Sequence, residues 1–196
     1  LDGAMSLGGV VFYYDYTNFQ TNIFQNGQLT PTNAGNAESY GFEGQMSWEA
    51  NENLDVFASY TYNHSRFDKQ SDGVEQQFGG NPFRLSPDHS ASLALFYQQD
   101  LEGFGHFEFT PSLTWQSKVY FDNSKRDLIS QDAYALANMN LSWTPESNAF
   151  ELALYAKNLL DQEYLIDGGN TGDNFGIPTF IAGAPRYYGV RISKDF

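Results

Sequence analysis

The sequence predicts an all-β fold, an antiparallel transmembrane β-barrel with eight strands in these 196 residues. Three observations predict it. Apolar and polar residues alternate with period two along most of the chain, which marks strands rather than helices. The connections between alternating runs are short and long by turns, as in barrels with tight hairpins on one side of a membrane and extended loops on the other. Aromatic residues are abundant (17 Phe, 13 Tyr and 3 Trp), yet mean hydropathy is negative. No run approaches the ~18 apolar residues of a membrane helix. A wall in which one residue in two meets lipid has this profile.

The strands are expected at 6–18, 37–50, 53–66, 88–99, 105–121, 130–144, 149–165 and 184–196. The first and fourth alternate least cleanly. In the second, Phe42, Gly44, Met46 and Trp48 share a face opposite Glu43, Gln45 and Ser47. Leu54, Val56, Ala58, Tyr60 and Tyr62 do the same in the third. The fifth is the clearest: Phe107, Phe109, Leu113, Trp115, Val119 and Phe121 oppose Glu108, Thr110, Ser112, Thr114 and Gln116. In the sixth, Ala135, Ala137, Met139, Leu141 and Trp143 oppose Asn138, Asn140 and Ser142. Phe150, Leu152, Leu154 and Ala156 line the seventh, and Tyr188, Val190 and Ile192 the eighth. Short connections fall at 51–53, near 103–105 and at 145–148; long ones at 19–36, 67–87, 122–129 and 166–183. Trp48 and Trp143 lie beside short turns, and Tyr120 and Phe121 beside a long loop, where interfacial aromatic girdles belong. A soluble β-sandwich alternates too, but its strands are shorter and its outer faces more charged. Here the polar faces are mostly Ser, Thr, Asn and Gln.

Composition excludes several functions. With 24 Asp+Glu against 10 Lys+Arg the net charge is −14, the reverse of a nucleic-acid binder. Without cysteine there is no disulfide scaffold, thiol chemistry or structural zinc. The chain opens Leu1-Asp2-Gly3 with no leader pattern, as in a mature chain or part of one. His64, His89 and His106 are the only histidines. Asp88-His89-Ser90 resembles a triad in miniature, but successive strand residues point to opposite faces, so no catalytic group is expected. The run from Asp167 to Asn174 invites a calcium-loop reading, but its twelfth position is Pro178, not Glu. Asp122, Asn123 and Asp127 read as solvated loop residues. No metal or cofactor is therefore expected. Phe78 and Phe83 in one long loop, and Phe175 and Phe180 in another, are the candidate ligand contacts. Arg66, Arg84, Lys125 and Arg126 lie near the outer rim, within reach of lipid phosphates or an anionic ligand.

The last forty residues resemble the C-terminal end of TonB-dependent outer-membrane receptors. The resemblance rests on Asn158-Leu159-Leu160-Asp161-Gln162-Glu163-Tyr164, Gly183-Ala184-Pro185-Arg186 and a closing Phe196, in that order. Upstream, Phe12-Tyr13-Tyr14-Asp15-Tyr16 followed by Tyr40-Gly41-Phe42-Glu43-Gly44 looks like a hairpin of the same family. Such receptors have roughly 22 strands around a plug. The resemblance thus implies that residues 1–196 form one segment from the C-terminal part of the barrel, without the plug domain. It implies active uptake across a bacterial outer membrane, with a ferric siderophore as the first expected ligand. The partners it implies are TonB, through an N-terminal region outside these residues, outer-membrane lipid and lipopolysaccharide, and the barrel-assembly machinery. Tyr188, Val190, Ile192 and Phe196 resemble the terminal signal that this machinery reads. The alternatives are a self-contained eight-stranded barrel with a structural, adhesin or passive-channel role and, less favoured, an outer-membrane enzyme.

Overall fold

The computed structural model describes residues 4–25, 28–71, 73–147, 150–169 and 175–194. In chain order the strands begin with β1 (Met5–Tyr16), β2 (Gln20–Gln25), β3 (Gln28–Asn33), β4 (Ala37–Asn51) and β5 (Leu54–Phe67). There follow β6 (Gln70–Ser71), β7 (Val74–Glu75), β8 (His89–Leu101), β9 (Gly105–Phe109), β10 (Ser112–Gln116) and β11 (Val119–Tyr120). The last are β12 (Ser130–Gln131), β13 (Tyr134–Thr144), β14 (Glu151–Lys157), β15 (Leu165–Gly168), β16 (Phe180–Ala182) and β17 (Tyr187–Ser193). One 3-10 turn spans Asp127–Ile129, and the described residues contain no α-helix.

The main sheet is an antiparallel meander in the order β1-β4-β5-β8-β10-β13-β14-β17, with β9 in line with β10 between β8 and β13. The remaining strands form two-stranded hairpins within the long connections. Directly paired residues share a face, so the registers carry a face across the sheet. Leu7↔Met46↔Ala58↔Leu93↔Leu113↔Ala137 runs along one face, and Gln45↔Ser59↔Ser92↔Thr114 along the other. The predicted division into apolar and polar faces is therefore real. Among the described residues no second layer covers the apolar face: Leu7, Val11, Leu93, Leu113, Leu154 and Val190 are all exposed. A soluble sheet would bury such a face against another element. A transmembrane wall presents it to lipid, and its polar face lines the lumen.

Several expected strands are shorter than predicted; the eighth, expected from 184, begins at Tyr187. The run 105–121 is divided into β9, β10 and β11 rather than continuous. The first break lies at Pro111, which accepts from Leu95 N–H (3.0 Å) but has no N–H to return. The run 130–144 is interrupted at 132–133. The run 149–165 ends as a strand at Lys157, because Asn158 (φ +50°) and Asp161 (φ +56°) turn the chain through the left-handed region.

That turn shows what the Asn-Leu-x-Asp-x-x-Tyr segment does physically. Asn158 Oδ1 accepts from Gln162 N–H (2.9 Å), and its Nδ2 donates to the Gln162 carbonyl (2.9 Å) and the Ala184 carbonyl (3.1 Å). Arg186 pairs with Asp161 at 3.1 Å. Gly183 N–H donates to the Tyr164 carbonyl (2.8 Å), and the Tyr164 ring lies where a Cβ on Gly183 would stand. The two sequence motifs are thus the two halves of one joint between the end of β14 and the start of β17.

Candidate functional site

The long connections all leave the same end of the sheet and form the rim where a ligand would be met. They pack around two small apolar cores. In the first, Phe67 at the end of β5 faces Ala37 at the start of β4. Ala34, Phe78, Phe19, Phe83 and Tyr16 close around this pair. Its rings meet edge-on or tilted: Phe19–Phe67 at 5.3 Å, Phe67–Phe83 at 5.0 Å and Phe67–Phe78 at 5.6 Å between centroids. This core fastens the connection after β1 to the one after β5. In the second, Val119, Phe121 and Ile129 are buried with Leu165 against them. Gly168 lies under the Phe121 and Phe180 rings and Gly169 against Ile129, with no room for a Cβ. This core fastens the connection after β10 to the one after β14.

Polar contacts run between the two cores. Asn81 Nδ2 donates to the Asn123 carbonyl (2.8 Å), and Arg84 N–H to Asn123 Oδ1 (3.2 Å). Asn123 Nδ2 reaches back to Thr21 Oγ1 (2.9 Å). Arg84 Nε donates to the Phe121 carbonyl (3.1 Å) and its Nη2 to Asp167 Oδ1 (3.0 Å). Leu85 N–H donates to the Tyr120 carbonyl (2.8 Å).

Other rim cations also have partners. Arg66 pairs with Asp88 (2.7 Å), Arg126 with Asp122, and Lys118 with Asp127 (2.7 Å). Lys118 and Lys125 flank the Tyr120 ring, with Nζ at 5.1 and 5.9 Å from its centroid. The hydrogen bond from Lys118 holds the Asp127 carboxyl below its ordinary range, and the same bond raises Lys118.

The structure separates the candidate ligand contacts. Phe78 is 5 % exposed, inside the first core, and Phe83 packs against the same core. Phe180 covers Gly168 and stays partly open. Phe175 is 80 % exposed and stands apart from both cores. Lower on the lumenal face, the rings of Phe12, Tyr14 and Tyr16 follow one another along β1 at 5.7 and 6.1 Å. Their partners on β4 are the small residues Gly41, Ser39 and Ala37. Sequence reasoning passed over this row, although its spacing of two was visible. It also read Arg84 and Asn123 only as a possible anion contact and a solvated loop residue, because nothing local marks them as cross-loop partners.

The histidines divide between the faces. His89 lies on the apolar face, its Nδ1 2.7 Å from the Tyr60 hydroxyl, and the His64 ring packs at a tilt against Tyr40, 4.9 Å between centroids. His106 is lumenal, with Nδ1 2.8 Å from Asp100 and Nε2 3.3 Å from Glu108. Ser142 donates to Glu108 (3.4 Å), not to the imidazole, so this group lacks the nucleophile-to-base contact of a hydrolase. Asp88 is turned to Arg66, away from His89. Among the described residues no group of three His, Asp or Glu is placed to hold a metal ion. Positions 170–174 of the calcium-like run lie outside the described residues. Tyr188, Val190 and Ile192 share the exposed apolar face of β17; Phe196 lies outside the described residues.

Solved structures that resemble this chain include uptake and siderophore receptors. The ferric yersiniabactin uptake receptor FyuA of Yersinia pestis matches with a TM-score of 0.83 and 20 % identity, over 99 % of this chain and 28 % of that one. The siderophore receptor PiuA of Acinetobacter baumannii matches at 0.72 and 19 %, over 98 % and 26 %. The ferripyoverdine receptor of Pseudomonas aeruginosa matches at 0.70 and 18 %, over 100 % and 25 %. The chain therefore spans about a quarter of the length of these receptors. The family model described as TonB dependent receptor-like, beta-barrel matches residues 1–159. With a lipid-facing apolar side, a polar lumenal side and long connections gathered at one end, this chain belongs to the TonB-dependent receptor β-barrel family.

Proposed function

We propose that the chain forms wall and outer rim of a bacterial outer-membrane uptake receptor, energised through TonB, whose ligand is a ferric siderophore or a similarly large and scarce molecule. The observation that supports this most is the match of nearly the whole chain to about a quarter of the length of the ferric yersiniabactin and ferripyoverdine receptors. The edges of the sheet agree. β1 and β17 end the strand order, and no ladder joins them among the described residues. Lipid offers nothing to satisfy an open row of N–H and C=O groups. Both strands therefore call for neighbours from other parts of a larger barrel. In this reading the plug and the segment that meets TonB also belong outside these 196 residues.

Within the segment, the ligand contacts fall to the exposed aromatics of the rim, Phe175 first and Phe180 next, and then to the Phe12–Tyr14–Tyr16 row below. Phe78 and Phe83 serve it by shaping the rim. Tyr188, Val190 and Ile192 on β17, with Phe196 after them in the sequence, are the signal offered to the assembly machinery, and the exposed apolar face meets outer-membrane lipid and lipopolysaccharide. The reading involves no catalysis.

The test is uptake of radiolabelled iron by cells carrying or lacking the full-length receptor, supplied with a panel of ferric siderophores, in backgrounds with and without TonB. The expected result is receptor-dependent uptake of at least one chelate that stops without TonB. Uptake of none, or receptor-dependent entry indifferent to TonB, would overturn the reading.

A further inference from the structure

The two apolar cores of the rim differ in kind from what lies between them. Each core buries aromatic or branched side chains contributed by two connections, so pulling its members apart exposes apolar surface to water. Between the cores, the described contacts are hydrogen bonds donated by Asn81, Arg84 and Leu85 and by Asn123 to Thr21. Water can replace such bonds at small net cost. The charged contact, Arg84 with Asp167, is partly exposed on both sides, where ion pairs hold weakly. The rim is therefore strongest inside each half and weakest along one line.

We propose that the long connections act as two bodies, the described parts of 17–36 with 68–88 and of 117–133 with 158–186, which part along this polar seam. Arg84 and Asn123 are the positioning residues that hold it shut. Arg84 bonds to Asn123, Phe121 and Asp167, the last two through a planar guanidinium that a lysine cannot imitate. The Asn123 amide faces both ways, accepting from Arg84 and donating to Thr21. A rim that must admit a large ligand and then cover it needs an element with two arrangements, and a polar seam between rigid halves provides one. The seam concerns the rim of the uptake reading above. Its test needs no ligand, so failure of one is distinguishable from failure of the other.

The chain has no cysteine, so paired cysteines introduced here carry spin labels at chosen places. In the full-length receptor in outer-membrane vesicles, Thr30→Cys with Glu75→Cys reports within the first body. Leu128→Cys with Ile177→Cys reports within the second, and Glu75→Cys with Ile177→Cys reports across the seam. Arg84→Ala with Asn123→Ala should at least double the width of the across-seam distance distribution and leave both within-body distributions unchanged. Thr21→Val, which removes the one bond from Asn123, and Arg84→Lys, which removes the guanidinium bonds to Phe121 and Asp167 but keeps the backbone bond to Asn123, touch neither core and should widen the across-seam distribution by less. These two decide the matter if the double variant fails to assemble. An across-seam distribution that stays narrow in every variant, or within-body distributions that widen as much as it does, would overturn the proposal.

Discussion

Asn158 is 4 % exposed and makes three side-chain hydrogen bonds at a backbone angle (φ +50°) that few residues accept. Asparagine suits both demands, since its short amide tolerates the left-handed region and carries donors and an acceptor at once. Asn158→Ala removes three hydrogen bonds at about 0.5–1.5 kcal/mol each and leaves the half-buried Gln162 and exposed Ala184 carbonyls without that donor, a loss of about 1–3 kcal/mol in all. Asn158→Gly loses the same bonds but relaxes the backbone, so it should recover about 1 kcal/mol of that. The temperature at which the full-length receptor loses its compact, fast-migrating form on a denaturing gel checks both. Equal melting of Asn158→Ala and wild type would show that the joint between β14 and β17 does not depend on this amide. The motif containing Asn158 was legible in the sequence, but its conformation was not. No glycine or proline stands between Lys157 and Tyr164 to mark a turn, and a positive φ leaves no mark on a period count. The partners of Arg84 were hidden for a different reason. They lie 37, 39 and 83 residues away, and only the packing of three connections brings them together.

At the level of elements, period-two alternation located every principal strand, because one face of each must meet lipid along its length. It overran where hydrogen bonding decides the boundary. Pro111 is the instructive case: it keeps its place in the register between Leu95 and Met139 and satisfies the face pattern, yet divides β9 from β10. Pro111→Thr would supply the missing N–H to the Leu95 carbonyl. It should fuse the two strands and stabilise the wall by about 0.5–1.5 kcal/mol, read as a raised melting temperature and a slowly exchanging amide at 111. An amide there that exchanges at loop rates would refute the fusion.

The Lys118–Asp127 contact is an element-level device too, since it closes the short β11–β12 hairpin from outside. The raised lysine contributes below its ordinary pKa of 10.5 and stops contributing as pH climbs through its higher folded value. The depressed aspartate contributes above its ordinary 3.8 and stops as pH falls through its lower folded value. The hairpin should therefore exchange its amides at a constant intrinsic-corrected rate through neutral pH, open faster as pH falls below 3.8 toward the lower folded value of the aspartate, and open faster again as pH climbs above 10.5. Lys118→Met should remove that acid dependence. A change centred near neutrality would assign the contact to some other group.

At the scale of the whole molecule, the chain is a curved wall with two unfinished edges. β1 presents its twelve-residue length and β17 its seven to whatever lies beside them, and neither is paired with the other among the described residues. Side-chain size argues against closure between them as well. Ser59, Ser92, Ser112, Thr114, Asn138 and Ser142 line the lumenal face, and side chains of this size leave the middle of a narrow eight-stranded barrel unfilled. A wide barrel has no such need, because another part of the protein can occupy its centre. The 196 residues expressed alone and presented to outer-membrane-like vesicles should therefore yield no compact, heat-modifiable species of 22.1 kDa. Amides of β1 and β17 on the open edges should exchange far faster than those of β5 and β8. In the full-length receptor the same edge amides should be protected to the level of the central strands. A compact species from the isolated chain, with β1 and β17 as protected as β5, would mean that the wall closes on itself. The uptake reading would then lose the large lumen on which it depends.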